Sequence, residues 1–245
     1  LVFFLGACQS NNKSDKNVAY SHFRLGVNLL AQGKRPEALE QFLIAKEMDP
    51  ESALISNHLG LAYYFMQEYE HAVVALKEAI KLKPQYSEAH NNLGRVYIDM
   101  KDYRSARKHL TIAAGDLTYG AKDKVGLNLG LSYFFENRYD KSESYFLKSI
   151  SLNRKNCLGY NYYGRVQVEK EHYKKAAKAL DQAIYHCRKK GFDEPHYYSA
   201  ISFFRLGYKE KAIARLQEGV KKYPNGPNRE KINEMMKLMK ITETK

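Results

Sequence analysis

Cys8, Cys157 and Cys187 are the three cysteines of this 245-residue sequence. With the histidines they are the residue types best able to ligate a metal or act as nucleophiles. The eight histidines are His22, His58, His71, His90, His109, His172, His186 and His196. No two have the i, i+4 spacing that would set both on one helix face, and HExxH is absent. His186 adjoins Cys187, but neighbours along a helix point in different directions. Gly-x-Ser-x-Gly, the phosphate-binding loop and a convincing carboxylate pair are also missing. The expectation is a protein without catalysis, cofactor, metal or small-molecule substrate. What does stand out is recognition chemistry. Asn91 and Arg95, and again Asn161 and Arg165, are spaced i, i+4 and so share a helix face. An Asn amide offers both a donor and an acceptor, and an Arg guanidinium can grip a carboxylate with two bonds.

The elements that must carry these residues show when the chain is aligned on itself. Gly26, Gly60 and Gly94 stand 34 residues apart, Gly130 follows 36 later and Gly164 another 34. Twelve positions after each comes Ala38, Ala72, Ala106, Ser142 or Ala176, and seven further on Ala45, Ala79, Ala113, Ser149 or Ala183. Between these small residues sit Phe42, Leu76, Leu110, Phe146 and Leu180. Each unit reads as two antiparallel helices. The small residues lie where the helices cross closely, the large ones fill the gaps, and Pro50 and Pro84, lacking an N–H, stop the second helix. One pair cannot bury its own apolar face, so the units must stack. A sixth unit is divergent, with Ala200 at the Gly position and Ala212, Leu216 and Pro224 in its second half. The two slips to 36 place longer turns at 115–120 and 188–191. Residues 228–241 read as a final amphipathic helix with Ile232, Met235, Met236 and Met239 on one face. That face either caps the stack or receives a partner.

This pattern resembles the tetratricopeptide repeat. The resemblance implies an all-α, right-handed superhelical solenoid of six helix pairs: 19–52, 53–86, 87–122, 123–156, 157–192 and 193–226. A capping helix and tail follow at 227–245. It also implies that the first helices line a concave, partner-binding surface. Carried onto this chain, the facing positions hold Asn57, Tyr64, Asn91, Asn92, Arg95, Asn128, Phe134, Asn161, Arg165, Tyr197 and Arg205. Either this set binds an extended peptide, or it is ordinary solvated polarity. Tyr64, Phe65, Phe134 and Phe135 either face the ligand or pack on neighbouring helices. In the repeat frame Cys157 opens the first helix of the fifth unit and Cys187 closes its second, ends that adjoin in an antiparallel hairpin. In an oxidising compartment the pair is expected as a disulfide, and in a reducing one as two buried thiols.

Residues 1–18 stand outside the repeats. Leu1 to Leu5 are apolar but too few to span a bilayer, which takes about 20 residues. Leu5, Gly6, Ala7 and Cys8 resemble the lipobox of bacterial lipoproteins. The resemblance implies the tail of a secretory signal, lipid attachment at Cys8 and, after it, a polar tether from Gln9 to Asn17. The alternative is a frayed apolar terminus with an incidental cysteine. Gln9 stands where an Asp would imply retention at the inner membrane, so the resemblance points to the outer one. The net charge of +13 is uneven: residues 1–156 hold 21 Lys/Arg against 17 Asp/Glu, and residues 157–245 hold 19 against 10. Basic surfaces attract nucleic acid, anionic lipid or acidic protein. With no Arg-Gly run, zinc-finger spacing or recognition-helix pattern, nucleic acid is not expected.

A lipid-anchored array of six such repeats with two cysteines 30 residues apart looks like the type IV pilus biogenesis and stability lipoproteins, or pilotins. That resemblance implies a protein at the inner leaflet of the outer membrane, facing the periplasm. Its partner would be a secretin subunit or another pilus assembly protein, and its role to promote secretin multimer assembly. The other expectation is an adaptor docking envelope enzymes, such as peptidoglycan hydrolases, or assembly factors.

Overall fold

The computed structural model describes the backbone of residues 7–188 and 192–241, and side chains within 15–188 and 192–239. Every element is an α-helix among the described residues, and none is long and apolar enough to cross a membrane. The chain divides into two compact units, 1–120 and 121–245.

The first unit holds α1 (Ala7–Ala31), α2 (Arg35–Met48), α3 (Ala53–Phe65), α4 (Tyr69–Leu82), α5 (Ser87–Asp99) and α6 (Tyr103–Gly115). Successive helices pair as antiparallel hairpins. The first helices of neighbouring repeats also touch one another, α1 on α3 and α3 on α5. The recurrent glycines explain how closely each hairpin closes. A Cβ added at Gly60 or Gly94 would stand 2.5 Å from Cγ of Leu76 or Leu110. Those leucines are fully buried, as is Phe42 opposite Gly26. The missing side chain is the space into which the large residue of the second helix fits.

The second unit holds α7 (Lys122–Phe134), α8 (Tyr139–Leu152), α9 (Cys157–Glu169), α10 (Tyr173–Cys187), α11 (Glu194–Arg205), α12 (Lys209–Lys222) and α13 (Arg229–Ile241). Phe146, Leu180 and Leu216 fill the same core position. Here too the first helices touch, α7 on α9 and α9 on α11. α13 buries Ile232 and Met239 in a cluster with Ala200, Ala212 and Leu216, with Met235 and Met236 packed alongside. It closes the apolar end of the stack.

Two features differ from, or add to, the reading of the sequence. Gln9 to Asn17, expected as a polar tether, is helical and continuous with α1. It contains neither Pro nor Gly, and extending an existing helix costs far less than starting one. The side chain of Cys8 lies outside the described residues, as does the second long turn at 189–191.

The second feature is a turn repeated in all six hairpins. Gly33, Gln67, Lys101, Asn137, Glu171 and Gly207 have φ between 58° and 82°. Each ends a first helix in a Schellman closure, in which the next N–H donates to a carbonyl five residues back: Lys34 to Leu29, Glu68 to Tyr63, Asp102 to Tyr97, Arg138 to Tyr133, His172 to Gln167 and Tyr208 to Phe203. Gly and Asn tolerate this conformation, whereas Gln67, Lys101 and Glu171 bear its cost. Replacing those three by glycine is expected to raise the unfolding free energy by about 1–3 kcal/mol in total. Urea denaturation of the triple variant checks this; a fall in the midpoint would refute it.

Candidate partner-binding groove

The first helices position the polar set, and the structure shows most of it engaged within the chain. In the first unit Asn57 is fully buried on α3, where its Oδ1 accepts from Nδ2 of Asn92 on α5 at 2.9 Å. Asn91 is buried on the same helix. The Tyr64 hydroxyl donates to Oδ2 of Asp99 at 2.7 Å, and Nε of Arg95 donates to that same oxygen at 3.3 Å. Burial pushes the Tyr64 phenol up to about 12; the Arg95 charge opposes this and Asp99 adds to it. Tyr64 therefore stays a neutral donor, and the three side chains pin α3 to α5.

In the second unit Asn128 and Phe134 are buried on α7 and Asn161 is fully buried on α9. Asn161 Nδ2 donates to Oε2 of Glu194 at 2.6 Å, and Arg165 Nη1 donates to Oε1 of the same carboxylate at 3.0 Å. The Arg165 guanidinium also lies 4.7 Å from the Phe134 ring, 5.0 Å from Tyr162 and 4.8 Å from Tyr198. One side chain thus binds α7, α9 and α11 through a carboxylate and three ring faces. Tyr197 is half-buried and packs with the α11–α13 cluster, whereas Arg205 is exposed in the last turn of α11.

Both arginines of the i, i+4 pairs are therefore already neutralised by the chain's own carboxylates. The neutralising residues, Asp99 and Glu194, were absent from the sequence reading. Asp99 was within reach of it, standing i, i+4 from Arg95. Glu194 is 29 residues from Arg165, and only the repeat register brings the two together. The aromatic pairs divide: Phe134 is 7% exposed but Phe135 is 43% exposed, and Phe65 and Phe204 are likewise exposed. In each unit the first helices thus carry exposed aromatic side chains, while most of their polar set is engaged within the chain.

Cys157 and Cys187 form a disulfide with Cα atoms 5.2 Å apart, joining the start of α9 to the end of α10. Among the described residues no cluster of three or more His, Cys, Asp or Glu is arranged to hold a metal.

Two histidines add a pH response. His90 Nε2 lies 3.1 Å from the Pro84 carbonyl, which can only accept, so Nε2 carries the proton. His90 Nδ1 then accepts from Nδ1 of His109 at 2.9 Å. Burial holds His109 down to about 4, with the neighbouring His90, Lys108 and Lys77 charges adding to it. Burial holds His196 down to about 4 as well, against the opposing pull of Glu218. The unfolded chain takes up these protons near pH 6.5 and the folded chain only near 4. Their stability is therefore complete above about 6.5 and is lost as pH falls from there towards 4. Allowing for screening at half-exposed His109, the expected loss is about 2–3 kcal/mol for the pair. Urea midpoints at pH 7.5 and 5 test this, and equal midpoints would contradict it.

Four segments match sequence profiles of this repeat: residues 23–73, 127–156 and 196–226 match the tetratricopeptide repeat, and residues 62–101 the TPR repeat. This is a tetratricopeptide-repeat protein. Tetratricopeptide repeats are in general interaction modules and not catalysts. This one is 29% identical over 136 residues to the type IV pilus assembly protein PilF of Pseudomonas aeruginosa, over 55% of this chain and 53% of that one. The chain thus spans about half the length of that relative. A solved structure of Pseudomonas aeruginosa PilF superposes with a TM-score of 0.77 at 19% identity, covering 91% of this chain and 99% of that one. PilW, described as a widely conserved type IV pilus biogenesis factor, superposes with a TM-score of 0.79 at 15% identity, covering 88% and 98%. At these identities the superpositions establish the shared fold.

Proposed function

We propose that this chain is an outer-membrane lipoprotein scaffold that holds secretin subunits and promotes their assembly into the multimer used in type IV pilus biogenesis. The observation that carries this reading is the 29% identity to a type IV pilus assembly protein over 136 residues. The order of apolar run, small residues and Cys8 supports the anchor. In this reading the lipid on Cys8 holds the array at the inner leaflet, facing the periplasm. The first helices then shield a segment of unassembled secretin. In each unit the exposed aromatics, Phe65 in the first and Phe135 and Phe204 in the second, make the contact by apolar burial and ring stacking. Arg95 and Arg165 act indirectly, by keeping those rings on rigid helices.

The test is affinity capture from membranes with Cys8 intact, with the captured protein identified by mass spectrometry. Secretin should be recovered, and less of it with Phe65→Ala or Phe135→Ala. Normal secretin multimers in a deletion strain would refute the reading. Capture of a peptidoglycan hydrolase in place of secretin would move the chain to the adaptor class.

A further inference from the structure

Nearly all of the chain's net charge lies in its second unit. Residues 1–120 carry 14 Lys/Arg and 13 Asp/Glu, a balance of +1, while residues 121–245 carry 26 and 14, a balance of +12. Within that unit the charge grows along the second helices. α8 has two lysines and two acids, α10 three lysines and one acid, and α12 five Lys/Arg and two acids.

α10 and α12 are linked by Arg215. Its Nη2 donates to Oδ1 of Asp181 at 2.6 Å, and its Nη1 to Oε2 of Glu218 at 2.8 Å. That link consumes two of the three carboxylates on these helices, leaving Glu210. It leaves Lys174, Lys175 and Lys178 of α10 and Lys211, Lys221 and Lys222 of α12 exposed as a cationic surplus. Tyr185 and Tyr208 are exposed on the same unit, with Arg188 at 5.0 Å and Lys211 at 5.1 Å from their ring centroids.

We propose that the solvent side of α10 and α12 docks on an anionic phospholipid surface. The type and spread of the charges choose lipid over an acidic protein. A protein carboxylate is best held by directed, two-bonded donors; Arg215 is turned inward onto Asp181 and Glu218, and Arg188, just past the end of α10, lies over the Tyr185 ring. The exposed cations within α10 and α12 are lysines, hydrated point charges spread over both helices. A plane of headgroup charges rewards each of these separately, by about five-fold in affinity per lysine. Exposed tyrosines suit the same boundary, with an apolar body and a polar tip. The proposal stands apart from the secretin reading and from the anchor, because it uses neither the first helices nor Cys8.

The experiment uses the full chain carrying Cys8→Ser, so that no acyl chain contributes. It is sedimented with vesicles of phosphatidylcholine, alone or mixed with phosphatidylglycerol, over a range of salt. Binding is expected on the mixed vesicles alone, falling steeply with added salt. The quadruple variant Lys174→Glu, Lys178→Glu, Lys211→Glu, Lys222→Glu should bind at least about a hundred-fold more weakly, with an unchanged circular dichroism spectrum. Equal binding to both vesicle types, or none to the anionic ones at low salt, overturns the proposal. Binding to a polyglutamate peptide without binding to vesicles overturns it in favour of an acidic protein.

Discussion

Replacing Arg165 by methionine is expected to lower the unfolding free energy by about 3 kcal/mol, among the largest effects of any single groove substitution. The Arg165 and Glu194 side chains are only 16% and 18% exposed. Removing one partner of such a pair leaves the other charge poorly solvated. The guanidinium also leaves behind the faces of Phe134, Tyr162 and Tyr198. Glu194→Gln should cost less, about 1–2 kcal/mol, because its amide oxygen can still accept from Arg165, while its NH2 takes the place of the oxygen that accepted from Asn161. Arg165→Lys keeps the charge but loses the planar stacking and should fall between the two. Chemical denaturation of the three variants gives the order, and a methionine variant within about 0.5 kcal/mol of the parent would show that the cluster is mere decoration.

Losing the Cys157–Cys187 bond is expected to cost about as much. The two residues are 30 apart, and closing a loop of that length contributes about 3–4 kcal/mol in the chain-entropy model. A Cys157→Ala, Cys187→Ala variant should unfold at correspondingly lower urea, and reductant should shift the parent towards it while leaving the variant unmoved. Mass measurement without reductant checks the bond directly. A reductant-insensitive parent would contradict the expectation.

The repeat was legible because its spacing is dictated by packing. Each Gly is set by the buried Leu or Phe opposite, so 34-residue periodicity and helix pairing are read from the same residues. The six left-handed turns were only half visible. Gly33, Gly207 and Asn137 announce such a conformation, but Gln67, Lys101 and Glu171 do not. There the closure of the preceding helix overrides the preference of the residue. The groove was legible as a set of positions and opaque as chemistry. Spacing placed Arg95 and Arg165 on the right helices, but whether a cation is offered to a partner depends on what else reaches it. The carboxylates that reach these two come from within one turn in one case and from the next repeat in the other. His90 and His109 escaped notice for a similar reason, lying on two helices whose pairing brings them together without any local signature.

The hairpin closures also bear on how the chain reaches its folded state. Within each unit, each helix touches its immediate neighbours and, among first helices, the next repeat along. These contacts join neighbouring helices or neighbouring repeats, so the loops they close are short. Chains of this kind fold quickly and can begin at any repeat, growing outward by accretion of the adjacent hairpin. Fully formed early units can shelter later ones as they emerge, so that little apolar surface is exposed at any moment for aggregation.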